Sequence, residues 1–197
     1  MCWSQRASAI SAIQAYTVVA YLLYVGKPKE AIFLATYALI QVAEVVLWGA
    51  YNSGNRRLNL FMSKIIIPTI LGLEFVASAV LNPVFLTPMW MASMGALYIY
   101  MFVWAELGGL TTVVQENVGR SLMWTGRPIP WYVAVWFYYL LIRPWSAANL
   151  TLVEWSMQPT VLVFGVITAV LFMTQKSFGS RWCFVAALFA GYAVLRT

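Results

Sequence analysis

Seven apolar stretches, each about long enough to cross a lipid bilayer, take up most of the 197 residues. A spanning helix needs about 20 mostly apolar residues, because the hydrocarbon core of a bilayer is about 30 Å thick. The chain is 62% hydrophobic and only 9% charged, whereas a soluble domain carries about 25% charged residues. The stretches cover residues 8–25, 31–51, 62–81, 89–114, 131–145, 157–174 and 181–195. The sequence therefore predicts an all-α, multi-pass membrane protein, built as one bundle of seven transmembrane helices.

Short connections separate these stretches and contain residues that end helices. Gly26 and Pro28 follow the first stretch, residues 52–55 read Asn-Ser-Gly-Asn, and Pro88 suits the first turn of the fourth helix. The fifth stretch is short if it ends at Arg143, and the range 131–145 includes Pro144 and Trp145 as part of a bent helix that is long enough to span. Because the connections are short, we expect consecutive helices to be antiparallel neighbours.

Positive charges are distributed unevenly between the two sides that these spans define. The side of the N-terminus holds Arg6, Arg56, Arg57, Lys64, Arg120, Arg127, Lys176 and Arg181, and the other side holds Lys27, Lys29, Arg143 and Arg196. Lys and Arg favour the cytoplasmic side, which predicts a cytoplasmic N-terminus and an external C-terminus. The net charge of +6 is explained by this topology and by anionic lipid headgroups rather than by nucleic acid. The identity of the membrane stays open.

The chain contains no His and no Asp. These absences exclude His-ligated haem and chlorophyll, His-based zinc sites and Ser-His-Asp catalysis. We therefore expect neither an enzyme nor a metal site. A retinal Schiff base needs a lysine inside a helix, usually the last one in rhodopsins, and residues 181–195 contain none. No covalently bound retinal is expected, and the identity of any other cofactor stays open.

Three glutamates fall at membrane depth, which makes them the main candidates for a functional site. Glu44 lies inside the second stretch, Glu74 inside the third and Glu106 within the fourth. An ionised carboxylate at the centre of a bilayer costs about 3 kcal/mol, so each should face the bundle interior, neutral or paired. Gln41 precedes Glu44 by three residues and should share its face of the helix. Lys64 is the lysine that can face inward from the third stretch.

Two interpretations of these residues remain open. In the functional one, Glu44, Glu74, Gln41, Glu106 and Lys64 line a path for a small ion. In the structural one, protonated glutamates form hydrogen bonds between helices and hold the bundle together. With residues 52–61 as the connection, Glu44 and Glu74 should stand roughly 9 Å apart in depth. That spacing suits two stations on one path, with Lys64 or water between them.

The two ends of the chain carry a resemblance to a known family. Residues 1–4 read Met-Cys-Trp-Ser, and residues 178–183 read Phe-Gly-Ser-Arg-Trp-Cys before the last stretch. In these motifs the chain resembles a multi-pass membrane family of fungi, algae and large DNA viruses, whose members begin Met-Cys-Trp-Ser and carry Gly-Ser-x-Trp-Cys before the final helix. The centre of the chain departs from the family, which has a His near the position of Pro68 and further cysteines in its loops. The resemblance implies a seven-helix fold and no particular activity.

The same motifs contain the two cysteines of the chain, Cys2 and Cys183. Both fall on the predicted cytoplasmic side, at the starts of the first and last spans, so their thiols can approach each other in a ring of seven helices. A disulfide, a shared metal, lipidation and simple packing are all possible. Packing is favoured, because the cytosol is reducing and two thiolates alone make a poor zinc site.

The preferred function is that of a membrane channel or transporter that moves a small ion, the proton among the candidates, past the intramembrane glutamates. The alternative is a seven-helix sensor or binding protein that transports nothing and holds an apolar ligand or pigment non-covalently among its aromatic residues. The partner in both cases is the lipid bilayer. The number of subunits stays open, a homo-oligomer included.

Overall fold

The computed structural model of the chain describes residues 4–81, 86–115 and 121–125, together with Pro130, Tyr132, Val133 and Trp136. The described part is mostly helical. Its elements, in chain order, are α1 (Gln5–Tyr24), α2 (Pro28–Asn52), α3 (Arg56–Phe61), a π-helical turn (Met62–Ile66), α4 (Ile67–Leu81), α5 (Pro88–Leu107), β1 (Thr111–Gln115) and β2 (Ser121–Thr125).

Helix α1 packs along α2 through a face of small side chains. The Ser4 hydroxyl caps the helix by accepting the backbone N–H of Ala7 at 3.1 Å. Small residues let two helices in a membrane approach closely and so increase their van der Waals contact. The turn into α2 uses Gly26 at a φ of 75°, which glycine adopts without steric cost. The buried residues of α1 recur every three or four positions: Ser8, Ala12, Ala15, Val19 and Leu22.

The third helical segment contains one wide turn. α3, the π-helical turn and α4 continue without a break, since the junction residues Met62 and Ile67 both have helical backbone angles. In this turn the N–H of Ile67 donates to the carbonyl of Met62, five residues earlier. Pro68 follows directly, and in a regular α-helix its ring would crowd the carbonyl of Lys64. The wider turn accommodates the proline, and such turns are frequent at functional sites.

Helix α5 ends earlier than the sequence predicts. It begins after Thr87, whose hydroxyl accepts the N–H of Trp90 at 3.2 Å, and it ends at Leu107. Gly109 then takes a φ of 65°, and β1 pairs antiparallel with β2. The predicted fourth helix, 89–114, is therefore wrong at its C-terminal end, and the all-α prediction missed a β-hairpin. The residues after the glycines are β-branched, which favours a strand.

The described helices form a row in which each contacts the next. α2 packs against both α1 and α4, and α4 packs against α5. Three helices, Gln5–Tyr24, Pro28–Asn52 and Arg56–Val80, are long and apolar enough to cross a membrane. They confirm the helical prediction for the first three stretches. The predicted stretches 157–174 and 181–195, and most of 131–145, lie outside the described residues.

Candidate functional site

A hydroxyl and a carboxyl group meet inside the interface of α1 and α2. Ser8 is 0% exposed and Glu44 is 3% exposed. The Ser8 Oγ lies 3.3 Å from Glu44 Oε2 and 3.3 Å from the carbonyl oxygen of Ser4. A hydroxyl has one proton and two lone pairs, so Ser8 donates to only one of these oxygens at a time. When Glu44 is ionised, Ser8 can donate to it. When Glu44 is protonated, it can donate to Ser8 while Ser8 donates to Ser4.

Gln41 lies almost one turn from Glu44 on α2 and is completely buried. The three-residue spacing places both side chains on one face of the helix, as the sequence predicted. At the same end of the α1–α2 interface, Gln5 Nε2 donates to the carbonyl of Val45 at 3.2 Å. Polar side chains therefore follow the buried part of α2 for about one turn.

A second buried polar pair lies on α4. Glu74 and Ser78 are both 0% exposed, and their four-residue spacing places them on one face of the helix. Sequence reasoning singled out Glu74 and missed Ser78, although the spacing from Glu74 was visible. Of the three glutamates predicted to face the bundle interior, Glu44 and Glu74 are buried, whereas the side chain of Glu106 is 67% exposed.

These two glutamates stand further apart in depth than the sequence predicted. Residues 56–61 are helical, so the connection predicted over 52–61 shrinks to residues 53–55. Glu44 then lies about ten residues before Gly54 and Glu74 about twenty residues after it, which separates them by about 15 Å along the helix axes. The predicted separation of roughly 9 Å was too small, because a helical segment had been taken for a loop.

Lys64 and Glu106 form an ion pair between the π-helical turn and the end of α5. Their Nζ and Oε1 atoms are 3.1 Å apart, and the side chains are 24% and 67% exposed. The structure thus brings two of the predicted path residues together, at the α4–α5 contact. Glu44 instead bonds to Ser8 across the α1–α2 contact. The five predicted residues therefore do not form one cluster in the described part of the chain.

Asn59 attaches the β-hairpin to α3 through both polar atoms of its side chain. Its Nδ2 donates to the carbonyl of Thr112 at 2.8 Å, and its Oδ1 accepts the N–H of Thr112 at 3.1 Å. The amide takes the place that a neighbouring strand would have on this edge of β1. Ser63, one turn along the helix, places its Oγ 2.7 Å from Thr112 Oγ1. Sequence reasoning missed these residues, since the contact depends on where α5 ends.

Asn59→Asp is expected to loosen the hairpin while leaving the helices intact. The carboxylate still accepts the N–H of Thr112 but sets an oxygen against its carbonyl, and the loss of a buried hydrogen bond costs about 1–3 kcal/mol. Amide hydrogen exchange of β1 and β2 should accelerate accordingly. The matched control is Asn55→Asp, because the side chain of Asn55 only accepts an N–H, that of Leu58, and Asp caps equally well. Unchanged exchange in Asn59→Asp would contradict the proposed attachment.

Within the described ranges, no three Cys, Asp or Glu side chains come together as a metal site would require. Cys2, Cys183 and the motifs that carry the family resemblance lie outside those ranges, so the thiol pair and the resemblance stay predictions. Comparison of the chain with protein-family models, curated proteins and solved structures finds no match. The three long apolar helices indicate the class of the molecule, an integral membrane protein.

Proposed function

We propose that the chain is a multi-pass, seven-helix membrane protein with a cytoplasmic N-terminus that moves a small ion, in first place the proton, past Glu44 and Glu74. The observation that carries this proposal is the position of the Ser8 hydroxyl, 3.3 Å from both Glu44 and the carbonyl of Ser4. A carboxyl group that only stabilises the fold needs hydrogen bonds in one protonation state. A carboxyl group that binds and releases protons needs them in both, and this arrangement supplies them.

The depths of the two glutamates support the same proposal. Helix α2 has 25 residues and is about 37 Å long, so it exceeds the hydrocarbon core of about 30 Å at both ends. With the midplane at Ile40, Glu44 lies about 6 Å to one side and Glu74 about 9 Å to the other. Both carboxyl groups fall within the core and on opposite sides of its centre. Gln41, close to the midplane, is a buried polar group between the two levels.

Glu74→Gln is expected to lower proton flux into reconstituted vesicles by at least about tenfold, since an amide cannot exchange the proton that a general acid or base transfers. The amide keeps the shape of the side chain, so the fold should be preserved. Glu30→Gln is the matched control, because Glu30 lies in the first turn of α2, outside the proposed path. Equal flux in Glu74→Gln and wild type would remove Glu74 from the path.

One observation favours the alternative, a binding protein for an apolar ligand. A half-open groove of about 240 Å³ runs between α4 and α5, and its walls include Gly72, Phe75, Met94, Gly95 and Tyr98. An enclosed apolar cavity of about 150 Å³ binds benzene, and the apolar walls of this larger, open groove suit a similar ligand. An absorbance spectrum of the purified protein tests for a pigment there. A visible band that persists through purification would favour this function over transport.

A further inference from the structure

The helices do not all reach the same level at the end of the bundle that contains residues 53–55, here called the Gly54 end. Lys64 lies about ten residues after Gly54 and Glu44 about ten before it, so both stand at the same depth, about 6 Å from the midplane. Glu106 bonds to Lys64 one residue before α5 ends at Leu107. Helix α5 therefore stops while α2 and α3 continue for about two more turns.

Residues 110–115 and 121–125, which follow α5, are not helical, although Thr112 lies at membrane depth. Thr112 bonds through its backbone to Asn59, which lies about 7 Å from Gly54 along the helix axis and so, with the midplane at Ile40, about 1–2 Å inside the edge of the hydrocarbon core. Non-helical backbone at this depth is tolerated only where protein buries it or where it lines a water-filled cavity. Asn59 supplies hydrogen bonds to the backbone of one residue on this edge of β1. The other backbone groups of the edge must bond to their surroundings.

The ion pair indicates which of the two cases applies. Lys64 and Glu106 carry opposite charges, yet their side chains are 24% and 67% exposed. Charged groups at this depth do not face lipid; they face the interior of a bundle or a water-filled cavity. The hydroxyls of Thr111 and Thr125, which bond to each other across the hairpin, add polar groups to the same region. The surroundings of Glu106 are therefore polar and hydrated rather than lipid.

We propose that the end of α5 and the β-hairpin line a water-filled vestibule, which opens at the Gly54 end, reaches the depth of Glu44 and ends at the Lys64–Glu106 ion pair. The vestibule rests on the membrane-spanning arrangement in the proposed function and supplies its entrance. Hydrated ions would enter from the Gly54 end, so the bilayer barrier left to cross extends from the depth of Glu44, past Glu74, to the opposite surface.

Cysteine labelling tests the vestibule without any flux measurement. In a Cys2→Ser/Cys183→Ser background, Glu106→Cys and Ile65→Cys are treated with a membrane-impermeant thiosulfonate in membrane fragments that are open to the reagent from both sides. Ile65 is the matched control, because it follows Lys64 at the same depth and is 42% exposed, but is apolar and suited to lipid. Glu106→Cys should react at least about tenfold faster, because the reactive thiolate forms only in contact with water. Tyr24→Cys, at the opposite end and 89% exposed, reports on access from the other side.

The outcomes separate this proposal from the transport function. Labelling of Glu106→Cys without labelling of Ile65→Cys supports the vestibule, whatever the flux. An unreactive Glu106→Cys alongside a reactive Tyr24→Cys would overturn it, and so would equal rates at positions 106 and 65. If loss of the ion pair prevents Glu106→Cys from folding, Thr111→Cys takes its place, since Thr111 lies on the hairpin and leaves the ion pair intact. A hydrated vestibule in a protein without proton flux would contradict only the transport function.

Discussion

Glu44→Gln is expected to reduce proton flux in reconstituted vesicles to the level of empty vesicles, with the fold unchanged. The Gln amide has nearly the shape of the carboxyl group and can both donate to and accept from Ser8 Oγ, so the contact between α1 and α2 is preserved. An amide does not release a proton, however, and therefore cannot take part in proton transfer. In the proposed arrangement water reaches only the depth of Glu44, so transfer beyond that depth depends on this carboxyl group.

Ser8→Ala tests the role of the Ser8 hydroxyl in transport without changing the packing of α1 on α2. It removes the hydroxyl that lies 3.3 Å from Glu44 Oε2 but keeps the small side chain that α1 needs for close packing. Flux should fall by about tenfold or more, since Glu44 loses a hydrogen-bond partner that serves both of its protonation states, and the loss of a buried partner costs about 1–3 kcal/mol. Ser8→Thr, which restores a hydroxyl, should recover part of the flux. Wild-type flux in Ser8→Ala would show that Ser8 takes no part.

Gly72→Ala is expected to destabilise the protein by about 1–3 kcal/mol, the usual cost of inserting an extra carbon into a packed contact. Gly72 lies on α4 directly beneath the aromatic ring of Tyr98 on α5, and an added Cβ would overlap the ring edge at Cδ2 and Cε2. The added carbon would meet the body of the ring, so either the ring leaves its contact with Phe102 or the two helices move apart. The unfolding temperature of the protein in detergent or lipid measures the effect.

Gly95→Ala provides the control for this prediction on the partner helix. An added Cβ at Gly95 meets nothing within 4 Å. Alanine favours a helix over glycine by about 1 kcal/mol, so this variant should be as stable as wild type or slightly more so. Equal stability of Gly72→Ala and wild type would contradict the close contact of α4 with the ring of Tyr98.

The sequence predicted the first three helices closely, because the length of the apolar stretch and the turn residues around it determine where each helix starts and ends. The stretch 8–25 corresponds to Gln5–Tyr24, and 31–51 corresponds to Pro28–Asn52. The third helix starts earlier than predicted, at Arg56, since the polar residues at its start were taken for a loop. The capping side chain of Asn55, which accepts the N–H of Leu58, was the local feature that marks this start.

The pairing of the site residues lay beyond the reach of sequence reasoning. Burial of Glu44 and Glu74 follows from the cost of a charge in lipid, so it was predictable. The partner of Glu44, by contrast, lies 36 residues away on α1, and that contact depends on how α1 and α2 align. The partner of Lys64 is 42 residues away, and their contact depends on where α5 ends. Hydropathy misplaced that end, because the valines of Thr111–Gln115 extended the apolar stretch beyond Leu107.

Proton flux under an imposed pH gradient shows whether the carboxyl group of Glu44 carries the ion. Vesicles that contain wild-type protein, Glu44→Gln protein or no protein would be followed with an internal pH-sensitive dye after an external acid step. We expect rapid acidification with wild type, and rates in Glu44→Gln vesicles equal to those of empty vesicles. A wild-type rate no higher than that of empty vesicles, or a Glu44→Gln rate equal to wild type, would contradict the claim that the Glu44 carboxyl group carries the ion.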